Sequence, residues 1–275
     1  MRAEYPDFLF VCGAVGSGNT FLFRSLTEDP QVYGLNEGDI GGFLKRLVES
    51  EQGIARCPHA PGEFLRFLHA LRADRHTLIE KSPSNIRHKA LIQAHLPDAR
   101  FVYTLRAPRA AIVSGLLGRA VRADVEHVAR LWRDDTERML ERDEASRVMV
   151  YERFLAAPAQ ALEDMTRGFM PLDAAVVRFA TRMARGERAD PERWKAKVTP
   201  EQARDIEHWV AALDLDALYS EVAQGRGRAA RHAAPMLPAW RRRLRRLTAP
   251  AFALYYRLIK PLRNGTDGGR RGTSP

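Results

Sequence analysis

The chain has only two cysteines among its 275 residues, Cys12 and Cys57, so no disulfide framework or thiolate metal site is expected. It also lacks an apolar run of about 18 to 20 residues, the length that a helix needs to cross a bilayer. The first apolar run is short and leads into a glycine-rich segment, which favours a core strand over a signal peptide. No histidine lies in a zinc-like spacing with other ligands. These absences predict a cytoplasmic protein without a metal centre.

Acidic residues are almost missing from residues 225–275, which carry thirteen Arg and Lys but one acid, Asp267. The net charge of +10 therefore belongs to this segment, because the remainder of the chain is slightly acidic. A nucleic-acid partner is not expected, since the remainder has neither a basic surface charge nor a reader motif.

Residues 225–263 form a predicted basic amphipathic tail. From Trp240 onward, apolar residues recur three and four positions apart, and Pro250 and Pro261 divide the pattern into two short helices. A helix with Trp and Leu on one face and Arg on the other suits an anionic membrane, so residues 238–263 are predicted to dock on one, at the inner membrane surface. Packing of the tail on its own domain is the alternative. Residues 264–275 are predicted to be disordered.

A glycine-rich segment follows the first apolar run: Gly13-Ala14-Val15-Gly16-Ser17-Gly18-Asn19-Thr20. A strand, a glycine turn and a helix start in this order present backbone N–H groups at a positive helix end, which suits a phosphate. The segment has the spacing of a nucleotide-binding phosphate loop, but Asn19 stands where such loops carry the lysine that reaches the β- and γ-phosphates. ATP or GTP hydrolysis is therefore not expected. A turn that merely joins strand to helix is the alternative.

Four short apolar runs are each followed by a segment of helical character: Phe8–Cys12, Thr77–Glu80, Phe101–Leu105 and Val148–Tyr151. Their apolar residues are continuous rather than alternating, as in parallel strands that are buried on both faces. Residues 1–224 are therefore expected to form an α/β domain, a three-layer P-loop-like parallel sheet flanked by helices, with a mostly helical part after Tyr151. Helices are also predicted at Ile40–Ser50, at Pro61–Arg72 and from a cap at Thr199.

Ligands of parallel sheets gather at the carboxyl ends of the strands. The first strand leads there to the glycine loop, the second to Glu80-Lys81-Ser82, and the third to Arg106 with Ser114 in the following helix. Two cations and several hydroxyls are thus predicted to lie beside a phosphate loop.

These motifs resemble those of the sulfotransferases that use 3′-phosphoadenosine-5′-phosphosulfate (PAPS), in particular the bacterial and glycan enzymes. The segment Gly13–Thr20 is similar to the loop that binds the 5′-phosphosulfate, and Arg106, Pro108 and Ser114 match the family's 3′-phosphate motif, R-x-P-x-x-x-x-x-S. Arg188, before Arg193-Trp194-Lys195, matches a basic residue that closes over the 3′-phosphate. The residues that the resemblance assigns to the donor are Gly16, Ser17, Gly18, Asn19, Thr20, Arg106, Ser114 and Arg188.

The resemblance implies transfer of a sulfuryl group from PAPS to an acceptor hydroxyl, on a carbohydrate or glycolipid, without a metal. Glu37 matches the acceptor-side glutamate of the glycan enzymes and is the predicted base, with Asp39 as its substitute. A capped turn is an equally good interpretation of Glu37. Lys81 matches a lysine near the transferred group and is the second predicted catalytic residue. His95 is assigned a structural role at a helix end.

One departure from the family affects catalysis. Most sulfotransferases carry Lys or Arg in the loop at the position of Gly16, where it stabilises the bridging oxygen. Lys81, or an arginine from another part of the chain, stabilises the bridging oxygen here. Otherwise the protein binds the donor without turnover. A P-loop phosphotransferase of the nucleotide-kinase type and a non-catalytic nucleotide-binding protein with a membrane-docking tail are the alternative functions.

Overall fold

The computed structural model describes residues 4–49, 60–118, 124–186 and 192–225. Its centre is a five-stranded parallel sheet in the order β2-β3-β1-β4-β5. The strands are β1 (Phe8–Gly13), β2 (Val32–Asn36), β3 (Thr77–Lys81), β4 (Arg100–Leu105) and β5 (Ser146–Val150).

Helices connect the strands and cover both faces of the sheet. Before β4 they are α1 (Asn19–Leu26), α2 (Ile40–Glu49), α3 (Ala60–Arg72) and α4 (Lys89–His95), and a 3-10 helix (Pro83–His88) follows β3. After β4 they are α5 (Pro108–Leu117), α6 (Val125–Met139), α7 (Tyr151–Ala156), α8 (Pro158–Thr166), α9 (Ala174–Arg185), α10 (Pro200–Ala212) and α11 (Leu215–Ala223), with a second 3-10 helix at Lys195–Lys197.

The central strand β1 shows why the apolar runs are continuous. All six of its residues are buried, and successive side chains enter two different cores. Phe8 and Phe10 belong to the core shared with α2, α4 and α6, whereas Leu9 and Val11 belong to the core shared with α1, α8 and α9. A strand buried on both sides cannot alternate apolar with polar residues, which explains the continuous apolar runs. The two cores confirm the expected α/β sheet with helices on both faces.

The structure has one strand more than the four expected, since Val32–Asn36 forms the edge strand β2 beside β3. Its sequence, VYGLN, is short and contains a glycine, which is depleted in strands. A Cβ on Gly34 would lie 2.5 Å from Cγ2 of Thr27, so the glycine permits the end of α1 to approach the sheet. The requirement for Gly34 comes from tertiary packing, which the local pattern does not reveal.

The helical elements agree more closely with the sequence. Helix α10 starts at Pro200 behind Thr199, whose side chain accepts from the N–H of Gln202 at 3.2 Å, and the Gln202 side chain accepts from the N–H of Thr199 in return. This reciprocal capping confirms the predicted helix start. The last expected strand is shifted, since it runs over Ser146–Val150 and Tyr151 begins α7.

Candidate active site

The glycine loop, residues 13–20, lies at the carboxyl end of β1 and leads into α1. Gly16 and Gly18 have φ values of +82° and +97°, in the region that side chains rarely adopt. A Cβ on Gly18 would lie 2.5 Å from Cδ2 of Tyr151, and a Cβ on Gly16 would overlap the carbonyl oxygen of Ala111 in α5. Both positions therefore require glycine, because the backbone is left-handed there and neighbouring atoms leave no room for a Cβ.

The absence of a cation at Gly16 has a structural cause. Any side chain at this position starts with a Cβ, which Ala111 and Ser114 of α5 exclude in the present arrangement. A lysine or arginine at Gly16 would require α5 to move away from the loop. A cation that acts near the loop must therefore come from another element.

Polar side chains of the loop differ in their surroundings. Asn19 donates from Nδ2 to the Ala14 carbonyl at 3.0 Å and accepts from Oγ1 of Thr104 at 2.8 Å, so its amide braces the loop against β4. Ser17 is fully buried, and its hydroxyl has no hydrogen-bond partner among the described residues. Such a buried hydroxyl is costly unless a ligand pairs with it. Thr20 is exposed in the first turn of α1.

Arg106 follows β4 and reaches the glycine loop. Its Nη1 donates to the carbonyl oxygen of Gly16 at 3.2 Å, although the two residues are 90 positions apart. Its guanidinium also lies over the ring of Tyr151, with the carbon 4.6 Å from the ring centroid. The two predicted anion-binding motifs therefore lie side by side at one edge of the sheet.

Ser114 borders the same region from α5, because its Cβ would lie 3.0 Å from a Cβ on Gly16. It also lines a cavity of about 780 Å³ that opens beside α5, which we call the α5 cavity. Charged residues on the cavity wall include Arg106, Arg109, Arg193, Lys197, Glu152, Glu192 and Glu207. The volume lies in the range of small-molecule sites, and the wall carries several cations suited to anionic groups.

Two carboxylates brace the wall of the α5 cavity. Glu152 accepts from the backbone N–H of Ala107 at 2.9 Å and from the hydroxyl of Tyr219 at 3.0 Å, so it fixes the turn that follows Arg106. Glu207 pairs with Arg109 at 2.8 Å, and this hydrogen bond holds the pKa of Glu207 below its usual value. Arg109 is thus engaged by carboxylates, whereas Arg106 contacts a carbonyl and a ring.

Three predictions lie outside the described residues. Arg188, assigned to the donor, falls between residues 186 and 192. The basic tail begins at residue 225, where the described chain ends, and residues 264–275, which were predicted to be disordered, follow it. Within the neighbouring described segment, Trp194 is 3% exposed and lines the α5 cavity.

Glu37 and Lys81 meet at the ends of β2 and β3. Nζ of Lys81 lies 2.7 Å from Oε1 of Glu37, and the N–H of Glu37 donates to the carbonyl of Lys81 at 2.7 Å. The Lys81 side chain is 3% exposed, whereas that of Glu37 is 69% exposed. The two predicted catalytic residues are therefore in direct contact, and the Glu37 carboxylate is largely exposed to solvent.

The carboxylate that burial removes from water is that of Glu80, the residue before Lys81 in β3. It is fully buried, and burial raises its pKa from 4.5 to about 7. Its oxygens accept from the Ser82 hydroxyl, from the Asn85 amide and, at 3.1 Å, from the N–H of Asp39. An acid inside the apolar run Thr77–Glu80, followed by polar residues, is the sequence signal for this network.

Asp39 and His95 are further candidates from the sequence. The Asp39 carboxylate accepts from the Ser84 hydroxyl at 3.0 Å and lies 3.4 Å from Arg46. His95 lies at the end of α4, where its Nδ1 is 3.0 Å from the carbonyl of Leu91. Since α4 leads into the start of β4, His95 lies at the edge of the sheet opposite the glycine loop.

The described residues contain no cluster of three or more His, Cys, Asp or Glu suited to a metal ion. In the same part of the chain, no helix has the length and apolar character required to cross a membrane.

Comparisons with known proteins identify the fold. The sulfotransferase domain of an olefin synthase from Synechococcus PCC 7002 is similar over 81% of this chain and 96% of its own, with 19% identity and a TM-score of 0.54. The sulfotransferase STF9 of Mycobacterium avium is similar over 79% of this chain and 77% of its own, with 15% identity and a TM-score of 0.49. A search of curated protein sequences gave no match.

The sequence itself carries the family signature. Residues 6–169 match the profile of the sulfotransferase family, a span that runs from β1 through α8 and includes both the glycine loop and Arg106. Because this span is more than half of the chain, the chain belongs to the sulfotransferase family.

Proposed function

We propose that the chain transfers a sulfuryl group from PAPS to a hydroxyl of a carbohydrate or glycolipid acceptor. The observation that carries this proposal is the contact between Arg106 and the Gly16 carbonyl, which brings the two anion-binding motifs together. PAPS has phosphates at both ends of its ribose and so requires two anion sites. A nucleoside triphosphate requires one.

The glycine loop is suited to the 5′-phosphosulfate. Its backbone N–H groups lie at the start of α1, where the helix dipole favours an anion. The unpartnered Ser17 hydroxyl supplies a further donor in the same loop. The lysine that would serve a nucleoside triphosphate is replaced by Asn19, whose amide is engaged inside the protein. These features favour PAPS over ATP.

Arg106 and Ser114 are suited to the 3′-phosphate. A guanidinium can bind two phosphate oxygens at once, and the Ser114 hydroxyl lies on the same cavity wall. Arg106 is partly exposed and retains donors beyond the one that contacts Gly16. The α5 cavity, which Arg106 and Ser114 line, is the proposed site of the nucleoside. Arg188 remains a proposed additional contact to the 3′-phosphate.

Glu37 and Lys81 are proposed to carry the chemistry. Glu37 accepts the proton of the acceptor hydroxyl while a bond forms between the acceptor oxygen and sulfur, and the bond from sulfur to the 5′-phosphate oxygen breaks. The products are a sulfate ester and 3′,5′-adenosine bisphosphate. The ammonium of Lys81 stabilises negative charge on the transferred group and supplies the cation that the loop lacks at Gly16. The exposure of Glu37 suits a bulky acceptor such as a glycan.

Titration calorimetry tests the donor assignment. We expect 3′,5′-adenosine bisphosphate to bind more tightly than ATP-Mg and its affinity to be independent of Mg²⁺. Arg106→Met should weaken this binding, whereas Arg133→Met, which removes a surface pair with Glu137 in α6, should leave it unchanged. Preference for ATP-Mg would instead support a kinase-type phosphotransferase. Binding without sulfuryl transfer to any of a panel of glycans would support a non-catalytic nucleotide-binding protein.

We also propose that residues 238–263 bring a cytoplasmic enzyme to the inner membrane surface. The support is the sequence alone: Trp and Leu recur at helical spacing among dense arginines, and each cation adds about 1 kcal/mol near an anionic surface. Deletion of residues 236–275 should abolish flotation with anionic liposomes and leave bisphosphate binding intact. Undiminished flotation would rule out the tail as the anchor.

A further inference from the structure

The turn that carries Glu37 has an unusual backbone. Residues Glu37, Gly38 and Asp39, which we call the acceptor turn, connect β2 to α2. Glu37 has a φ of +56° and Asp39 a φ of +44°, so two non-glycine residues adopt left-handed conformations within three positions. Such conformations persist when the surrounding structure holds them in place.

Glu80 is the group that holds this turn from inside the protein. Its Oε1 accepts from the N–H of Asp39 at 3.1 Å and from the hydroxyl of Ser82. The Ser82 oxygen in turn accepts from the N–H of Asp39 at 3.0 Å. A backbone hydrogen bond from Gly38 to the same carboxylate also favours its ionised form. One buried carboxylate therefore holds the turn at the N–H of Asp39, both directly and through the hydroxyl of Ser82.

The same carboxylate ties the turn to the start of α2. Its Oε2 accepts from the side-chain amide of Asn85, whose oxygen accepts from the N–H of Gly41 at 2.9 Å. Successive side chains of a strand point to opposite faces, so Lys81 lies on the face of β3 opposite Glu80. There its Nζ donates to the carboxylate of Glu37. Glu80 thus fixes the backbone of the turn, whereas Lys81 fixes the side chain that the turn presents.

From this geometry we propose that Glu80 is a positioning residue that holds the acceptor turn, and with it the Glu37 carboxylate, in the arrangement needed for sulfuryl transfer. The inference relies on the proposed function for the role of Glu37. The contacts of Glu80 with the turn do not depend on that role.

The ionised form of Glu80 is the form that holds the turn. Every partner named above is a donor, so a proton on the carboxyl group displaces a donor from one of its oxygens. The titratable groups that face Glu80 are Asp39 and the thiol of Cys12 in β1, and burial raises the pKa of that thiol, so it stays neutral. Because burial raises the pKa of Glu80 to about 7, the turn should loosen as the pH falls through this value.

Hydrogen–deuterium exchange of the full chain tests this proposal without an acceptor. In the wild type, the peptide that contains residues 37–43 should lose at least tenfold protection between pH 8 and pH 6, after correction for intrinsic exchange rates. Glu80→Gln should show low protection at both pH values, and the peptide of the glycine loop should keep its protection. Ser82→Ala should also lower the protection of residues 37–43, by a smaller factor than Glu80→Gln.

Asp29→Asn is the matched control. Asp29 is also a buried carboxylate that accepts from a backbone N–H, that of Gln31 at 2.8 Å, but it lies at the opposite end of β2. This variant should leave the protection of residues 37–43 and its pH dependence unchanged. Unchanged exchange of these residues in a folded Glu80→Gln protein would overturn the proposal. If that variant does not fold, the wild-type pH series and Ser82→Ala decide it.

Activity then separates this proposal from the proposed function. With PAPS and a glycan panel, Glu80→Gln should lower kcat/KM at pH 8 by about 10 to 100-fold and change bisphosphate affinity by less than twofold, because misplacement of a reacting group slows the chemical step. The conservative variant Glu80→Asp should recover part of the rate. If the wild type shows no transfer, the proposed function fails, whereas the exchange data still decide the role of Glu80.

Discussion

The glycine loop and the acceptor turn lie at the same edge of the sheet, but they are held in place by different means. The loop has its shape because Gly16 and Gly18 have no side chains, α5 and Tyr151 fill the space beside them, and the uncharged amide of Asn19 braces the loop against β4. The acceptor turn has its shape because the buried carboxylate of Glu80 binds its backbone. Steric exclusion does not change with pH, whereas a carboxylate network does.

This difference predicts that the two sides of the site respond to different perturbations. Added atoms should damage the glycine loop and donor binding at every pH. Changes of charge or pH should damage the acceptor turn and the transfer step while donor binding persists. The following variants test this separation, from the largest expected effect to the smallest.

Lys81→Gln should have the largest effect, a loss of about 10²- to 10³-fold in kcat, because it removes the buried ammonium that the proposed function assigns to developing negative charge. The measurement is the initial rate of sulfuryl transfer from PAPS to a glycan panel. Affinity for 3′,5′-adenosine bisphosphate should stay within twofold of wild type.

Lys89→Gln provides the control for Lys81, because Lys89 is also a largely buried lysine in an ion pair, with Asp143 at 2.8 Å, but it begins α4. Its rate should remain near wild type. Equal losses of rate and bisphosphate affinity in Lys81→Gln would assign Lys81 to the donor side and break the comparison.

The pH dependence of stability should reveal the buried carboxylate. Because burial raises the pKa of Glu80 from 4.5 to about 7, the folded state binds a proton more tightly than the unfolded state between these values. The contribution of Glu80 to the free energy of unfolding therefore decreases as the pH rises through this window, by up to about 3 kcal/mol.

Thermal unfolding of wild type and Glu80→Gln at several pH values measures this contribution. The wild-type Tm should fall relative to that of the variant as the pH rises from 5 to 8. Parallel Tm curves for the two proteins would show that Glu80 does not titrate in this window.

Gly16→Ala should damage the donor side by steric means. Its Cβ overlaps the Ala111 carbonyl, and its φ of +82° is unfavourable for alanine, so we expect about 10 to 100-fold weaker bisphosphate binding from strain of about 1–3 kcal/mol. Calorimetry at pH 6 and pH 8 should give the same loss. A loss that depends on pH would contradict a purely steric origin.

Gly62→Ala is the matched glycine control. Gly62 lies in α3, and a Cβ there would meet no atom within 4 Å. Alanine favours a helix over glycine by about 1 kcal/mol, so the variant should be slightly more stable and should bind the bisphosphate as the wild type does.

The sequence predicts the donor side better than the acceptor side. The glycine loop and Arg106 lie at strand ends that apolar runs reveal, and the rule for parallel sheets then brings them to one edge. Their contact across 90 positions agrees with that expectation. A side chain at Gly16 is excluded by α5, which is distant in the sequence, so this steric reason is visible only in the folded structure.

On the acceptor side, local patterns were insufficient. The edge strand β2 escaped prediction because the close approach of Thr27 to Gly34 is a tertiary contact. Glu37 and Lys81 were each predicted to be catalytic, but their direct contact, the exposure of Glu37 and the central position of Glu80 were not. The acid inside the apolar run Thr77–Glu80 indicates a buried carboxylate, but its partners Asp39 and Asn85 come from turns that no periodicity within one strand can place.

Tyr219→Phe should have the smallest effect. It removes one hydrogen bond, from the Tyr219 hydroxyl to Oε2 of Glu152 at 3.0 Å, while Glu152 keeps the N–H of Ala107 in the turn after Arg106. The expected cost is about 1 kcal/mol of stability, seen as a Tm about 2–4 °C lower. Bisphosphate affinity should change by less than threefold, because Arg106 also contacts Gly16 and Tyr151. A tenfold loss of affinity would mean that a carboxylate, that of Glu152, holds the donor side as Glu80 holds the acceptor turn.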